Sequence, residues 1–260
     1  MKRFKNLYAL GCSFVAGDGM DEREKIKFPD EDGSEKHKYE CRFSKLLSDK
    51  LELKEINNSV GGFSNHRIYR TAYDWITNQP PQTIKETLFI IGITDISRTD
   101  LQLDGGVIRL PGILGDMNCI HDNEREVITK ITTMGGLEVD DFFDYWTKWF
   151  KYIYSEDIRL EETMRDYHLL QTLIKSLGGD VIFFNTVRMN NPIYNYKHRV
   201  IPSDVHLDSR LQWFKPLGKY DGWREFIITF DSDYTGEHPS VKDHAILSEE
   251  LYTHIIKNYE

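Results

Sequence analysis

Apolar runs of strand length alternate along this chain with segments in which apolar residues recur at helical spacing. The runs that favour β-strands lie at residues 4–10, 55–60, Thr87–Ile93, 181–184 and 225–230. Thr87–Ile93 is the most apolar and β-branched of these runs, which is typical of a central parallel strand that is buried on both faces.

Helical spacing predicts helices over residues 39–51, 64–78 and 240–259, and a pair of helices within 139–177. Ser64 or Asn65 is expected to cap the helix over 64–78. Because the strands alternate with helices, the pattern predicts a doubly wound parallel sheet. The expected fold is therefore a flavodoxin-like three-layer α/β/α sandwich, formed by residues 1–260 as a single domain.

Two segments depart from this alternation. Residues 18–38 are charged and rich in turn formers, which predicts an exposed loop. Residues 100–136 are irregular and rich in glycine, which predicts an insertion or lid with a possible hairpin around 104–106.

An aromatic stripe within the predicted helices favours core packing over a ligand site, because its members recur at helical spacing. The stripe consists of Phe142, Tyr145, Trp146, Trp149, Phe150 and Ile153.

Composition and charge restrict the class of protein and its partners. A chain of 260 residues, 40% hydrophobic, is an ordinary length for one α/β domain. Its net charge of −9 disfavours nucleic acid and anionic membrane surfaces as partners. Cys12, Cys41 and Cys119 have no metal-binding or disulfide-framework spacing. With no apolar run long enough for a signal peptide or a membrane span, we expect a soluble protein of the reducing cytoplasm.

Candidate chemistry lies in four blocks, three of them in loops that follow predicted strands. In open parallel sheets, ligands bind at the carboxyl ends of the strands. Ser13 follows the first strand, Gly61 and Gly62 follow the second, and Thr94 follows Thr87–Ile93. The fourth block places His238 before the last helix. Taken singly, each has a plain structural explanation as a helix cap or a turn.

Taken in order, the four blocks resemble the SGNH/GDSL hydrolases, whose signatures are GDS, a glycine block, GxND and DxxHP before the last helix. The resemblance implies that Ser13 is the nucleophile and His238 its base. It also implies that the N–H groups of Ser13 and Gly62, together with the Thr94 side chain, hold the oxyanion. The GCSF and GGFSN segments are similar to divergent, phage-type or bacterial members, so a virion location is expected if the chain is phage-encoded.

Three positions depart from the family pattern. Cys12 replaces the aspartate of GDS, and Thr94 replaces the asparagine of GxND. Thr235 stands where the family has the aspartate that orients the histidine. Among the nearby residues, we expect Asp233 to serve as that acid. Asp231, Glu237 or a backbone carbonyl in a Ser–His dyad are the alternatives.

The activity that the resemblance implies is hydrolysis of an ester or acetyl group, on a small molecule or a carbohydrate, through an acyl-enzyme and without a metal or organic cofactor. The alternative is an SGNH fold that has lost catalysis and serves as a carbohydrate-binding or virion structural module. Thr94 and Thr235 favour this alternative, whereas Ser13, Gly62 and His238 favour the enzyme. The oligomeric state stays open.

Overall fold

The structure is a computed structural model. It describes residues 3–20, 31–96, 98–103, 106–110, 129, 132, 136, 138–153, 155–186, 211–214, 222–224, 227 and 238–259.

Four parallel strands form the central sheet. In chain order they are β1 (Asn6–Leu10), β2 (Lys54–Asn57), β3 (Thr87–Ile93) and β6 (Asp180–Asn185). The spatial order is β2-β1-β3-β6, and every pairing is parallel. The strand order reverses between β1 and β3, which is where doubly wound sheets bind ligands.

Other short extended segments accompany this sheet. Strands β4 (Thr99–Leu103) and β5 (Gly106–Leu110) form a separate antiparallel pair. Trp213 makes an isolated parallel bridge with Phe183, which places a short extended segment beside β6.

Helices lie between the successive strands of the central sheet along the chain, as a three-layer α/β/α fold requires. They are α1 (Ser13–Ala16), α2 (Glu31–Cys41), α3 (Phe43–Lys50), α4 (Asn65–Thr77), α5 (Pro81–Lys85), α6 (Val139–Tyr152), α7 (Glu156–Ser176) and α8 (Val241–Tyr259).

The sheet separates two apolar cores. Successive residues of a strand point to opposite faces. Leu7 and Ala9 of β1 pack in the core that α3 and α8 cover, whereas Tyr8 and Leu10 pack in the core that α4 and α7 cover. All seven residues of β3 are buried. The predicted three-layer sandwich, including the central position of Thr87–Ile93, is therefore confirmed.

Some local predictions are confirmed and others are wrong. The hairpin around 104–106, the pair of helices within 139–177 and the cap at Ser64 are confirmed. Residues 31–38 belong to α2 and are not a loop, because turn formers do not prevent a helix where a neighbouring helix supports it. Of the strand predicted over 225–230 only Ile227 is described, and it is helical.

The aromatic stripe is core-packed only in part. Trp146 is buried, but Tyr145 and Ile153 are 63% and 65% exposed. The helices that cover the two faces of the sheet are α3 and α8 on one side and α4 and α7 on the other. Helical spacing predicts which residues of α6 share a face, but it does not predict whether that face packs on the sheet. Most of residues 100–136 lie outside the described residues, so the lid stays a prediction.

Candidate active site

The ends of three parallel strands bring the candidate blocks to one edge of the sheet. Leu10 of β1 pairs with Ile91 of β3, and Ala9 pairs with Asn57 of β2. The loops that follow these strands therefore start at the same edge. A Cβ atom built on Gly61 would lie 3.8 Å from the Ser13 Cβ. Ser13 and the glycine block are therefore neighbours at the edge where the strand order reverses, and Thr94 follows the adjacent strand β3.

Two glycines let α1 sit directly on the ends of β1 and β3. A Cβ on Gly11 would lie 2.4 Å from Val15 Cγ2, and one on Gly92 would lie 2.6 Å from the same atom. Real Cβ atoms do not approach this closely, so both positions need glycine for helix packing. The close fit brings the first turn of α1, which includes Ser13, against the sheet.

Ser13 is the first residue of α1 and not its cap. Cys12 occupies the N-cap position and makes no side-chain capping bond. The N–H groups of Val15 and Ala16 donate to the Cys12 carbonyl. The Ser13 N–H donates no hydrogen bond within the described part of the chain, as expected for the first N–H of a helix. Ser13 thus offers a hydroxyl and a backbone donor at one place.

The Cys12 side chain turns away from this edge into the sheet. It is fully buried, and its Sγ lies 3.5 Å from Thr186 Oγ1, whose hydroxyl donates to the Ile93 carbonyl at 2.9 Å. The residue that replaces the family's aspartate is therefore a packing contact below Ser13.

The glycine block lies over Ser13 from the β2 side. The Val60 N–H donates to the Gly11 carbonyl at 3.4 Å, which ties this loop to the end of β1. A Cβ on Gly61 would also lie 2.5 Å from Asp18 Oδ2. Gly62 has φ +76°, a conformation that L side chains rarely adopt. Its N–H makes no hydrogen bond to another described residue.

Thr94 directly follows β3, and its backbone is held by Asn65. The Thr94 N–H donates to Asn65 Oδ1 at 2.9 Å, and Asn65 Nδ2 donates to the Thr94 carbonyl at 2.9 Å. The Tyr167 hydroxyl donates to the same Asn65 Oδ1 at 3.1 Å. The Thr94 hydroxyl is buried and has no hydrogen-bond partner among the residues described.

His238 packs against the same segment that carries Ser13. Its ring centroid lies 5.8 Å from that of Phe14. A Cβ on Gly19 would lie 2.8 Å from His238 Cβ and 2.9 Å from its Nδ1. No hydrogen bond joins the Ser13 hydroxyl to the His238 ring, although both residues are described. Asp233 and Thr235 lie outside the described residues, so the predicted acid stays a prediction.

A capping box starts α8 just after His238. The Ser240 hydroxyl accepts from the Asp243 N–H at 3.2 Å, and Asp243 Oδ2 accepts from the Ser240 N–H at 2.8 Å. These reciprocal bonds satisfy donors at the helix start and fix the path of the chain there.

A polar cavity of about 140 Å³ opens beside these residues, lined by the 17–20 turn and by α2. Lys38 Nζ lies 3.1 Å from Asp18 Oδ1 and 2.8 Å from Glu35 Oε1. Burial lowers the pKa of Lys38, but its hydrogen bonds to Glu35 and Asp18 outweigh this and raise the pKa overall. Because Asp18 contacts Gly61 and Gly19 contacts His238, the cavity adjoins the candidate site.

The positioning contacts of this site were not found from the sequence. Asn65 was considered only as an alternative helix cap. Ser64 takes that role by accepting from the Arg67 N–H at 3.2 Å, which leaves the Asn65 amide for Thr94. The local signal for this contact is an asparagine at the end of the GGFSN segment. Nothing in the local sequence indicated the contacts of Tyr167 or Gly19.

Within the described part of the chain, no group of three or more His, Cys, Asp or Glu side chains has a metal-binding arrangement. Every described helix is too short or too polar to cross a bilayer.

Comparison with solved structures identifies the fold. The chain is similar to TesA at 12% identity, covering 96% of this chain and 98% of that chain with a TM-score of 0.50. It is also similar to a carbohydrate esterase whose active site displays divergent catalytic and non-catalytic binding functions, at 15% identity. That match covers 100% of this chain and 70% of the other, with a TM-score of 0.50. A lipolytic protein of the G-D-S-L family from Veillonella parvula matches at 10% identity over 98% of both chains, with a TM-score of 0.46.

The sequence matches no family model and none of the curated proteins compared with it. The likenesses to TesA and to the carbohydrate esterase show that the chain shares the three-layer α/β/α fold of these proteins.

Proposed function

We propose that this chain is a serine hydrolase that cleaves an ester or acetyl group through an acyl-enzyme on Ser13. One observation supports this most directly. Ser13, the glycine block and Thr94 directly follow three adjacent parallel strands, β1, β2 and β3, beside the point where the strand order reverses. Such a position gathers polar groups from separate loops around one reacting atom.

In the first half of the proposed reaction, His238 accepts the Ser13 proton while Oγ attacks the ester carbonyl carbon. The carbonyl π electrons move to the oxygen and form a tetrahedral oxyanion. When this intermediate collapses, the bond to the leaving oxygen breaks, and the protonated His238 gives its proton to the departing alcohol. The acyl group is then bound to Ser13 Oγ.

In the second half, water takes the place of the alcohol. His238 accepts a proton from the water as its oxygen attacks the acyl carbonyl, and it returns that proton to Ser13 Oγ as the carboxylic acid departs. The enzyme is regenerated with no net gain or loss of protons on His238.

The proposed oxyanion donors are the N–H groups of Ser13 and Gly62 and the hydroxyl of Thr94. None of these donors makes a hydrogen bond elsewhere in the described part of the chain, so none is committed to another partner there. Removing one donor of such a set costs about 10²- to 10³-fold in turnover in other hydrolases. A threonine hydroxyl can donate one hydrogen bond, but on a shorter side chain than asparagine.

The acid of the proposed triad is Asp233, for which the sequence position near His238 is the support. A carboxylate at the ring nitrogen remote from Ser13 would fix the tautomer and stabilise the imidazolium. The substrate class is a small-molecule or carbohydrate ester, since the net charge of −9 disfavours polyanions.

The second candidate function is an SGNH-fold module that binds without catalysis. The missing hydrogen bond between Ser13 and His238 favours it, together with Thr94 and Thr235. The carbohydrate esterase with the similar fold combines catalytic and non-catalytic binding functions, which makes this alternative concrete.

Labelling with a fluorophosphonate probe separates the two candidates. Wild type should form a covalent adduct that mass spectrometry places on Ser13, because an activated serine oxygen displaces fluoride from the probe and becomes phosphonylated. Replacing Ser13 with alanine should abolish the adduct. The His238→Ala variant should label at least about 10³-fold more slowly.

Turnover of short-chain nitrophenyl esters and acetylated sugars extends this test. Ser13→Ala and His238→Ala should each lose at least about 10³ in kcat, and the double variant should lose little more because the two residues act as a unit. A folded wild type that forms no adduct and turns over none of these esters would favour the binding module.

A further inference from the structure

The Asn65 side chain spans the gap between α4 and the end of β3. Its amide bonds to both polar groups of the Thr94 backbone, each at 2.9 Å, and its oxygen also accepts from Tyr167. Asn65 and Thr94 are 5% and 0% exposed, and Tyr167 is fully buried. Buried hydrogen bonds of this kind are short of competing water and hold their partners in one arrangement.

The hydrogen-bond pattern fixes how the amide is oriented. The Thr94 N–H needs an acceptor and the Thr94 carbonyl needs a donor, so Oδ1 must face the first and Nδ2 the second. Burial raises the pKa of Tyr167 well above its usual range, which keeps its hydroxyl protonated and able to donate. The three residues therefore form a network with one consistent set of donors and acceptors.

The Thr94 hydroxyl takes no part in this network. It is buried and has no partner in the described part of the chain, so it is free to donate to a group that binds beside it. Threonine is branched at Cβ and has few rotamers, so its hydroxyl direction follows closely from its backbone. Because Asn65 bonds to both the N–H and the carbonyl of Thr94, it also restricts the position of the Thr94 hydroxyl.

We propose that Asn65 is a positioning residue: its amide, supported by Tyr167, fixes the Thr94 peptide so that the Thr94 hydroxyl faces the oxyanion formed at Ser13. This inference rests on the proposed function of Ser13. It explains how a side chain shorter than asparagine serves at position 94. A misplacement of about 1 Å in such a donor is expected to slow the reaction about 10²-fold.

The Asn65→Asp variant tests the network with almost no change in shape. A neutral carboxyl keeps an acceptor for the Thr94 N–H and supplies an O–H donor for the Thr94 carbonyl. An ionised carboxylate has no donor and repels that carbonyl. Burial raises the pKa of a carboxyl at such a position. The loss should therefore appear as the pH rises.

The measurement is the rate of Ser13 labelling by the fluorophosphonate probe between about pH 5.5 and about pH 9, given as the ratio of variant to wild type. Taking this ratio removes the titration of His238, which both proteins share. We expect the Asn65→Asp ratio to be highest at low pH and to fall by about 10- to 100-fold as the introduced carboxyl ionises. A purely structural role would give a ratio that does not depend on pH while the variant stays folded.

Two further variants test whether the result could come from misfolding or from any buried negative charge. Tyr167→Phe removes one bond to Asn65 without adding charge, and should lower the labelling rate severalfold at every pH. Asn58→Asp is the matched control, because the Asn58 amide donates to the Tyr8 hydroxyl at 3.2 Å, and that hydroxyl can donate to a carboxylate instead. Its ratio should not vary with pH.

The outcomes separate this inference from the proposed function. If wild type is labelled on Ser13 but the Asn65→Asp ratio is flat and Tyr167→Phe reacts normally, the positioning role is wrong and the hydrolase proposal stands. If folded wild type is not labelled at all, both are overturned.

Discussion

Acidification should destabilise this protein through one buried histidine, His244 of α8. Its Nδ1 accepts from the Phe43 N–H at 3.1 Å, and its ring packs edge-on to Trp223 at 4.8 Å. Burial, together with the charges of Arg42 and His238, lowers the pKa of His244 from 6.5 to about 3. The folded protein therefore holds this ring neutral.

The sign and size of the effect follow from the two pKa values. At about pH 7.5 the ring is neutral in both the folded and the unfolded chain, so it adds nothing to the pH dependence. Below 6.5 the unfolded chain takes up a proton that the folded chain does not bind. The free energy of unfolding then falls by up to about 1.4 kcal/mol per pH unit. From about pH 7.5 to about pH 5 the loss attributable to His244 is about 2 kcal/mol.

The assay is urea unfolding at fixed ionic strength, compared between wild type and His244→Asn. The asparagine Oδ1 can take the place of Nδ1 as acceptor for Phe43 but does not titrate. The variant should be less stable near neutral pH by about 1–3 kcal/mol through lost packing. That deficit should shrink by about 2 kcal/mol at about pH 5, because only wild type undergoes the proton-linked loss.

Ser248→Ala is the control for this comparison, since Ser248 is a buried residue of α8 that does not titrate. Its stability difference from wild type should stay nearly constant across the same pH range. Parallel curves for wild type and His244→Asn would refute the argument, because they would mean that the folded protein accepts the proton on His244 at little cost.

Two other predictions concern the placement of His238. Gly19→Ala should slow Ser13 labelling about 10- to 100-fold by pushing the His238 ring aside, whereas Gly136→Ala, with a similar φ of +69° but nothing within 4 Å, should leave it unchanged. Asp233→Asn should cut kcat by up to about 10⁴-fold in a protein of unchanged circular dichroism. A silent Asp233→Asn combined with a gain from aspartate at Thr235 would identify a weakened dyad.

Much of the fold could be predicted because burial patterns are local. Thr87–Ile93 could be recognised as a central strand from its own residues, since a strand buried on both faces must be apolar throughout. The hairpin of β4 and β5 and the end of α4 likewise depend on neighbouring residues. The prediction for 31–38 was wrong because α2 is supported by contacts with α3 and α8, which no window of the sequence contains.

The candidate site was predictable to the extent that it follows strand ends. Parallel strands place their carboxyl ends at one edge, so Ser13, Gly62 and Thr94 could be grouped from their positions in the sequence. Asn65 and Tyr167 could not be added to that group. They lie 29 and 102 residues from their partners in the network, and helix packing alone brings them together.

The three departures from the SGNH pattern differ in what they demand of this chain. The Cys12 side chain lies in the apolar core, where its Sγ contacts Thr186 Oγ1, so replacing the aspartate there alters packing beneath Ser13. Thr94 directly follows β3. Because its side chain is shorter than that of asparagine, the position of its hydroxyl depends closely on the position of its backbone. The Asn65 amide holds that backbone with two hydrogen bonds. Thr235 lies outside the described residues, so the Asp233→Asn and Thr235→Asp variants are what decide between the enzyme and the binding module.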